Sequence, residues 1–240
     1  MKQSDFNSLF VDLCNKNQIT SPNEEQLSLF WRFTEHLMSV NETTNLTAIR
    51  NIPDVVAKHY VDSLTASARL REGLRVLDLG CGPGFPSIPL AIMRPDLSIV
   101  ALDSTDKKVQ FVAKSAEILQ LSNLKAVTGR AEAPDTRKAL GLFGAVVSRA
   151  VSRMNVLCEL SLPYLKIGGK LLALKGAKGE EELTEAAKAI KILGGEAKIT
   201  SFLLKTVDTE EQRCFLEVTK IKETPSQYPR AYATILKKPL

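Results

Sequence analysis

The chain is poor in metal-binding and redox side chains. Its 240 residues include four cysteines (Cys14, Cys81, Cys158 and Cys214) and two histidines (His36 and His59). The cysteines are scattered and none belongs to a C-x-x-C pair, which argues against a zinc site and a disulfide framework. No metal is therefore expected. Long apolar runs are missing too. Nothing approaches the roughly 20 consecutive apolar residues of a membrane helix. The polar start Met1-Lys2-Gln3-Ser4-Asp5-Phe6, soon followed by Asp12, leaves no room for a signal h-region. No membrane association and a reducing cytoplasm are expected. Internal repeats and low-complexity segments are lacking as well. A strong charge excess is also absent: 32 basic against 27 acidic residues give +5, only a weak pull toward an anionic partner.

What is present describes a folded protein. Hydrophobic residues make up 44% and charged residues 25%, both near the globular average. The length suits one full-sized domain with an extension. Residues 1–40 read as helical, with Leu9, Phe10, Leu13 and Cys14 at helical spacing. Ser21-Pro22-Asn23-Glu24 looks like a capping box with proline at the first helical position. Leu27, Phe30, Trp31, Leu37 and Met38 then read as a core stripe. Asn45-Leu46-Thr47 reads as a loop, and a further helix starting near Pro53 carries His59, Asp62 and Ser63.

From residue 74 the pattern changes. β-rich runs at 74–79, 98–102, 124–128, 143–148 and 170–174 alternate with helical segments, the clearest marked by Val109, Val112, Ala113, Ala116 and Leu119. This alternation predicts a parallel sheet covered on both faces. Two more runs, 197–204 and 213–221, are separated by too few residues for a crossover helix, so they pair antiparallel. The expected fold is α/β and Rossmann-like: seven mostly parallel strands ending in an antiparallel hairpin. A helical extension (1–70) precedes this domain (71–221), and an irregular basic tail (222–240) lies over its surface.

The most informative segment is Val76-Leu77-Asp78-Leu79-Gly80-Cys81-Gly82-Pro83-Gly84-Phe85-Pro86. An apolar strand runs into three alternating glycines and then a helix. Glycine permits a sharp turn and a close approach of backbone to ligand, at the strand end where open α/β sheets bind ligands. The dinucleotide pattern G-x-G-x-x-G fails in both registers, at Phe85 and at Ser87. G-x-G-x-G fits Gly80, Gly82 and Gly84, the form seen in enzymes that bind S-adenosylmethionine. Asp103, ending the next strand, is placed to accept hydrogen bonds from both ribose hydroxyls; its competing reading is a helix cap. Asp78 serves either the ligand or the loop amides. After the third strand, the Ala131 backbone and Glu132 stand where the adenine edge would pass.

Several segments together resemble one family, the small-subunit ribosomal RNA guanine-N7 methyltransferases (RsmG, also called GidB). They are Asn45-Leu46-Thr47, His59-Tyr60-Val61-Asp62-Ser63, Asp78 through Pro86, Leu102-Asp103-Ser104, Arg130-Ala131-Glu132, Ser148-Arg149-Ala150, Leu174-Lys175-Gly176, Tyr228-Pro229-Arg230 and Lys237-Lys238-Pro239-Leu240. The glycine loop alone marks only the superfamily; the combination is far more specific. The resemblance implies S-adenosylmethionine as cofactor, with contacts at Gly80, Phe85, Ala131, Glu132 and Arg149. It implies a substrate guanine in the 530 loop of 16S rRNA, presented by the small ribosomal subunit. One departure lies in the tail, where many members have Gly-Thr-Pro-Asn and this chain has Ala233-Thr234-Ile235-Leu236.

The chemistry agrees with that implication. Methyl transfer from a sulfonium is an in-line displacement that chiefly needs alignment. The fourth strand ends Val147-Ser148-Arg149-Ala150, without the Pro-Cys pair of a cytosine-C5 enzyme or the Asn/Asp-Pro-Pro-aromatic element of an exocyclic-amine enzyme. Guanine N7 carries no proton to remove, so a site without a general base suits it. Arg149 and Lys175 are the positioning candidates. Arg149 is expected to contact cofactor or phosphate, the alternative being a structural ion pair. Lys175 is expected near a substrate phosphate. His59 and Asp62 share a helix face and are expected to pack the extension onto the cleft. Arg50, Lys58, Arg153, Lys178 and the tail lysines are candidates to follow the RNA backbone, and the tail is expected to serve the ribosomal substrate more than the cofactor. Two other readings remain: a small-molecule or protein methyltransferase, and a non-catalytic RNA-binding protein on a degenerate fold.

Overall fold

In the computed structural model, which describes residues 1–149 and 152–240, apolar spacing sets the first two helices. Helix α1 (Gln3–Lys16) buries Phe6, Phe10, Leu13 and Cys14 on one face. Helix α2 (Glu24–Thr44) buries Leu27, Phe30, Phe33, Thr34, Leu37 and Asn41, while Trp31 and Met38 are only partly covered. The capping box is real but lies two residues later than expected. Asn23 is the cap, accepting from Gln26 N at 2.9 Å while Gln26 Oε1 accepts from Asn23 N at 3.0 Å. Asn45 ends α2 in the left-handed region at φ 51°. The Asn41 side chain then holds both the N–H and the carbonyl of Thr47, fixing the loop.

The next helical stretch is irregular. A short α3 (Ile52–Val55), capped by Asn51, widens into a π-helical segment, Val56–Val61, and narrows again into α4 (Asp62–Leu64). π-helical turns are rare and concentrate at functional sites. This one carries Lys58 and His59.

The sheet follows. Its strands are β1 (Arg75–Leu79), β2 (Ser98–Asp103), β3 (Leu124–Thr128), β4 (Phe143–Arg149), β5 (Leu165–Lys175), β6 (Gly195–Lys205) and β7 (Glu210–Lys220). They lie in the order β3-β2-β1-β4-β5-β7-β6. Pairing is parallel through β5 and antiparallel for β7 with β5 and β6. Helices α5 (Ser87–Met93), α6 (Asp106–Leu119), α7 (Pro134–Leu140), α8 (Met154–Ser161) and α9 (Gly179–Ile192) connect the strands. β1 and β4 flank the point where strand order reverses, so their carboxyl ends border a crevice.

One apolar core runs across the expected boundary at residue 70. Phe33 of α2 packs its ring 5.8 Å from Phe85 and 6.2 Å from Phe111, and Tyr60 joins Phe10, Phe30 and Phe85. The other sheet face packs on α8 and α9.

The tail differs from the irregular surface segment expected. Lys220, just before it, is buried at the end of β7 and donates to the Leu162 carbonyl at 2.8 Å. Beyond it, α10 (Tyr232–Lys237) buries Ile235 completely. The Arg230 backbone N and Nε each donate to Glu159 Oε1 at 2.8 Å, and Nη2 to Oε2 at 2.6 Å. Glu159 is fully buried, so the chain is committed to this docking by a carboxylate that has no water. A basic, proline-broken composition hid an amphipathic turn.

Because Phe33 sits in the shared core, Phe33→Ala is expected to lower the unfolding free energy by about 3–5 kcal/mol while unfolding stays a single transition. Urea melts followed by far-ultraviolet and tryptophan signals check this; a two-step melt with the sheet surviving the helices would refute a common core.

Candidate active site

The bend after β1 is held by carboxylates on two strands. Gly80 (φ +75°) turns the chain, and the amides of Gly80 and Cys81 donate to the Leu102 carbonyl at 2.8 and 3.1 Å. Asp103 at the end of β2 accepts from Gly82 N at 3.0 Å and from Thr105 N at 2.8 Å. Asp78 at the end of β1 accepts from Ser87 N, the first residue of α5, at 3.0 Å. Gly84 (φ +96°) serves packing: a Cβ there would sit 2.4 Å from Ile88 Cδ1. Asp78 therefore performs the amide-holding role left as its alternative, while Asp103 holds loop amides and the cap position of α6 falls to Thr105.

Asp78 is completely buried, and its Oδ1 has no hydrogen-bond partner among the described residues. Burial pushes its carboxyl up to about 7; the Ser87 hydrogen bonds and the Arg149 charge pull the other way, and the Asp103 charge adds to the rise.

Two cavities meet at Gly80. The smaller, about 160 Å³, is lined by Leu79, Gly80, Asp103, Ala131, Glu132 and Tyr232, among others. It brings together the acid at the end of β2 and the residues after β3, as expected. Within it, the Ala131 carbonyl accepts from Tyr164 Oη at 2.9 Å. Glu132 pairs with Arg130. The larger cavity, about 560 Å³, is lined by Thr47, Lys58, His59, Asp62, Gly80, Gly82, Phe85, Arg149, Lys175 and Arg213, among others.

Arg149 is the hinge of the larger cavity. Ser148 points the other way, donating to the Leu79 carbonyl at 2.8 Å, so strand alternation delivers Arg149 to the cleft. Ala150, which completes the Ser-Arg-Ala motif, lies outside the described residues. Arg149 Nη1 donates to the Lys58 carbonyl at 2.7 Å and to Asp62 Oδ2 at 3.2 Å. Its Nη2 lies 2.9 Å from His59 Nδ1. A guanidinium only donates, so Nδ1 is the acceptor and Nε2 carries the proton, donating to Thr47 Oγ1 at 2.7 Å. The imidazole stacks on Phe85 at 4.3 Å. Burial, and then the Arg149 charge, push its pKa down to about 3. His59 is thus a neutral ring with both nitrogens occupied.

Asp62 Oδ1 also accepts from Arg213 Nε at 3.2 Å, and Arg213 Nη2 donates to Glu211 at 2.6 Å. Arg213 sits on β7, far from any motif, and sequence reasoning missed it. The His59–Asp62 pair does join the extension to the cleft, both by gripping Arg149 and through the stack of His59 on Phe85. Lys175 is nearly buried, 2.7 Å from Glu182 and donating to the Ser152 carbonyl. It therefore ties α9 to the stretch after β4 while lining the larger cavity. Lys58 pairs with Asp54 and Glu211 at 3.2 and 3.5 Å. Arg50 and Lys178 are exposed beside the lining residues Ile49 and Gly176. Among the described residues, no helix is long and apolar enough to cross a membrane, and no cluster of three or more His, Cys, Asp or Glu side chains could hold a metal.

A seven-stranded sheet in this order, with a glycine bend and an acid on the neighbouring strand, defines a Rossmann-like methyltransferase. Solved structures agree on the fold. A methyltransferase from Pyrococcus furiosus superposes with a TM-score of 0.54 at 17% identity, covering 81% of this chain and 100% of that one. A precorrin-6y C5,15-methyltransferase from Geobacter metallireducens gives 0.51 at 16%, covering 74% and 93%. The chain belongs to the rRNA small subunit methyltransferase G family, whose model matches residues 26–213. The ribosomal RNA small subunit methyltransferase G of Lactobacillus delbrueckii subsp. bulgaricus is 40% identical over 241 residues, covering 97% of this chain and 98% of that protein. Its Staphylococcus aureus (strain Newman) counterpart is 39% identical over 225 residues, covering 93% and 92%.

Asp78 supplies a test of site electrostatics. Its folded-state pKa lies above the unfolded value, so its contribution to stability is full at low pH and is lost as pH rises through about 7. Asn at this position stays neutral throughout. Thermal melts of the ligand-free protein at pH 6 and pH 9 should show Asp78→Asn gaining on the parent at the higher pH; a pH-independent difference would refute a buried, reluctantly ionised carboxyl.

Proposed function

We propose that the chain transfers a methyl group from S-adenosylmethionine to N7 of a guanine in the 530 loop of 16S rRNA, acting in the cytoplasm on the small ribosomal subunit. The observation that carries this reading is the pair of cavities joined at Gly80. The smaller suits adenosine: Asp103 toward the ribose, the Ala131 amide and Glu132 toward the purine edge, with Gly80, Gly82, Gly84 and Phe85 shaping the bend between them. The larger suits an extruded base and its phosphates. The methionine portion would lie where the two meet, near Arg149 and close to the unpartnered oxygen of buried Asp78.

S-adenosylmethionine, when bound, supplies a methyl already activated on a sulfonium. The protein's residues then have to align the acceptor and keep water out. Phe85 and the stacked His59 form a rigid apolar wall; Arg149, held from three sides, keeps that wall in register. The acid–base side chains of the larger cavity are committed: His59 to Thr47 and Arg149, Asp62 to two arginines. A committed set offers no base, which favours an acceptor whose lone pair is free at neutral pH. Guanine N7 meets that condition. An exocyclic amine or a protein lysine, which must lose a proton, does not, and this separates the rRNA reading from the small-molecule or protein alternative. The Arg50, Lys58 and Lys178 side chains supply positive charge for phosphates at the rim.

Incubation with labelled S-adenosylmethionine and undermethylated small subunits should place the label in N7-methylguanine of 16S rRNA; label in protein or metabolites instead would favour the alternative. Asp103→Ala should weaken cofactor affinity by about 1.5–3 kcal/mol, the scale of hydrogen bonds to a charged group. Calorimetry finding the parent affinity would remove Asp103 from the ribose site.

A further inference from the structure

The smaller cavity has one wall from the far end of the chain, Tyr232, which no motif singled out. Its lining divides chemically. Asp103 and Ser104 at the end of β2 are polar, Leu79, Leu102, Ala131, Leu160 and Tyr232 are apolar or aromatic, and the charged Arg130 and Glu132 flank Ala131. That division matches a nucleoside, with hydroxyls at one side and a flat ring at the other. The Tyr232 ring is half-buried and faces the Arg130 guanidinium at 4.8 Å. Arg130 also pairs with Glu132, so the ring is tied to the residues that follow β3.

The ring packs against the core, but α10 has other anchors. Ile235 is fully buried, Arg230 grips Glu159 through three hydrogen bonds, and Arg137 Nη1 donates to the Tyr228 carbonyl at 3.1 Å. Glu159 adjoins Leu160 on α8, so the anchor of the tail and the wall of the cavity are neighbours. A large aromatic side chain that its helix does not need for docking, left half-open over an apolar slot, has a ligand-facing role. We propose that Tyr232 is a cofactor-site residue: its ring, held by Arg130, forms the purine-side wall of the adenosine cavity, and the C-terminal segment is thereby part of the cofactor site. This rests on reading the smaller cavity as the adenosine subsite.

Titration calorimetry on the full-length chain with S-adenosylhomocysteine and with adenosine tests it. Tyr232→Ala should weaken both ligands by the same factor, about three- to tenfold, the range an aromatic contact gives. Tyr232→Phe should bind as the parent does, because the ring and not the hydroxyl is used. Thermal melting should stay near the parent's, since Ile235 and Arg230 remain. If Tyr232→Ala melts far lower, Tyr232→Leu, which keeps apolar bulk without the ring, decides: weakened adenosine binding supports the proposal and parent-like binding overturns it. Parent-like binding by Tyr232→Ala with weakened binding by Asp103→Ala overturns the tyrosine's role and leaves the adenosine cavity standing. Parent-like binding by both overturns the cavity reading itself.

Discussion

Every functional feature of this molecule depends on a backbone bend that two buried or half-buried carboxylates hold open. Gly80 turns the chain at the carboxyl end of β1, and Asp78 and Asp103 catch the amides that the turn exposes. Without those acceptors the amides would be orphaned in a region with little water, at a cost of roughly 1–3 kcal/mol each. The cost of the arrangement falls on Asp78, whose second oxygen has no partner and whose carboxyl burial drives toward neutrality. A strained acid at the base of a ligand crevice is stable only because the strand, the loop and α5 over-determine its position. The bend contributes Gly80 to the lining of both cavities.

The larger cavity depends on a second device, a chain of ion pairs Glu211–Arg213–Asp62–Arg149 that ends in a hydrogen bond to neutral His59. It links β7, the helical extension and β4. Partly buried ion pairs contribute little net stability against apolar replacements, because desolvation offsets most of the attraction. Their effect here is registry. The Lys58 carbonyl, His59 and Asp62 all lie on the helical stretch that holds the π-helical segment, so a single placement of Arg149 satisfies all three.

How much of this was readable in the residues follows the range of the interactions. The sheet, its hairpin and the glycine bend were legible because each rests on local patterns: alternation of strand and helix runs, and three glycines at fixed spacing. The small errors were local as well. The cap of α2 moved from Ser21 to Asn23 because Gln26, not Glu24, completes the reciprocal box. Arg213 was illegible because its importance comes from β5–β7 pairing, which carries it to Asp62 across 151 residues of sequence. The tail was misread for a related reason. Its charge and prolines look like loop chemistry, but one isoleucine and one arginine, meeting the buried Glu159, are enough to dock it.

The same contrast of range separates the two halves of the site. The smaller cavity is built mostly from the ends of β1, β2 and β3, three neighbours in the parallel core; Leu160 of α8 and Tyr232 of α10 complete it. The larger cavity needs the loop at Thr47, the π segment, β4, β5 and β7 all in place. A cofactor is one molecule of fixed shape, and local strand geometry suffices to fit it. An RNA acceptor has to be told apart from many similar bases, and discrimination comes from groups that cannot relax independently. Tying those groups into one network of partly buried ion pairs makes the larger cavity depend on the helical extension and the sheet closing on each other. The shared core around Phe33, Tyr60 and Phe85 supplies the apolar free energy for that closure, and the arginine network converts it into a defined shape.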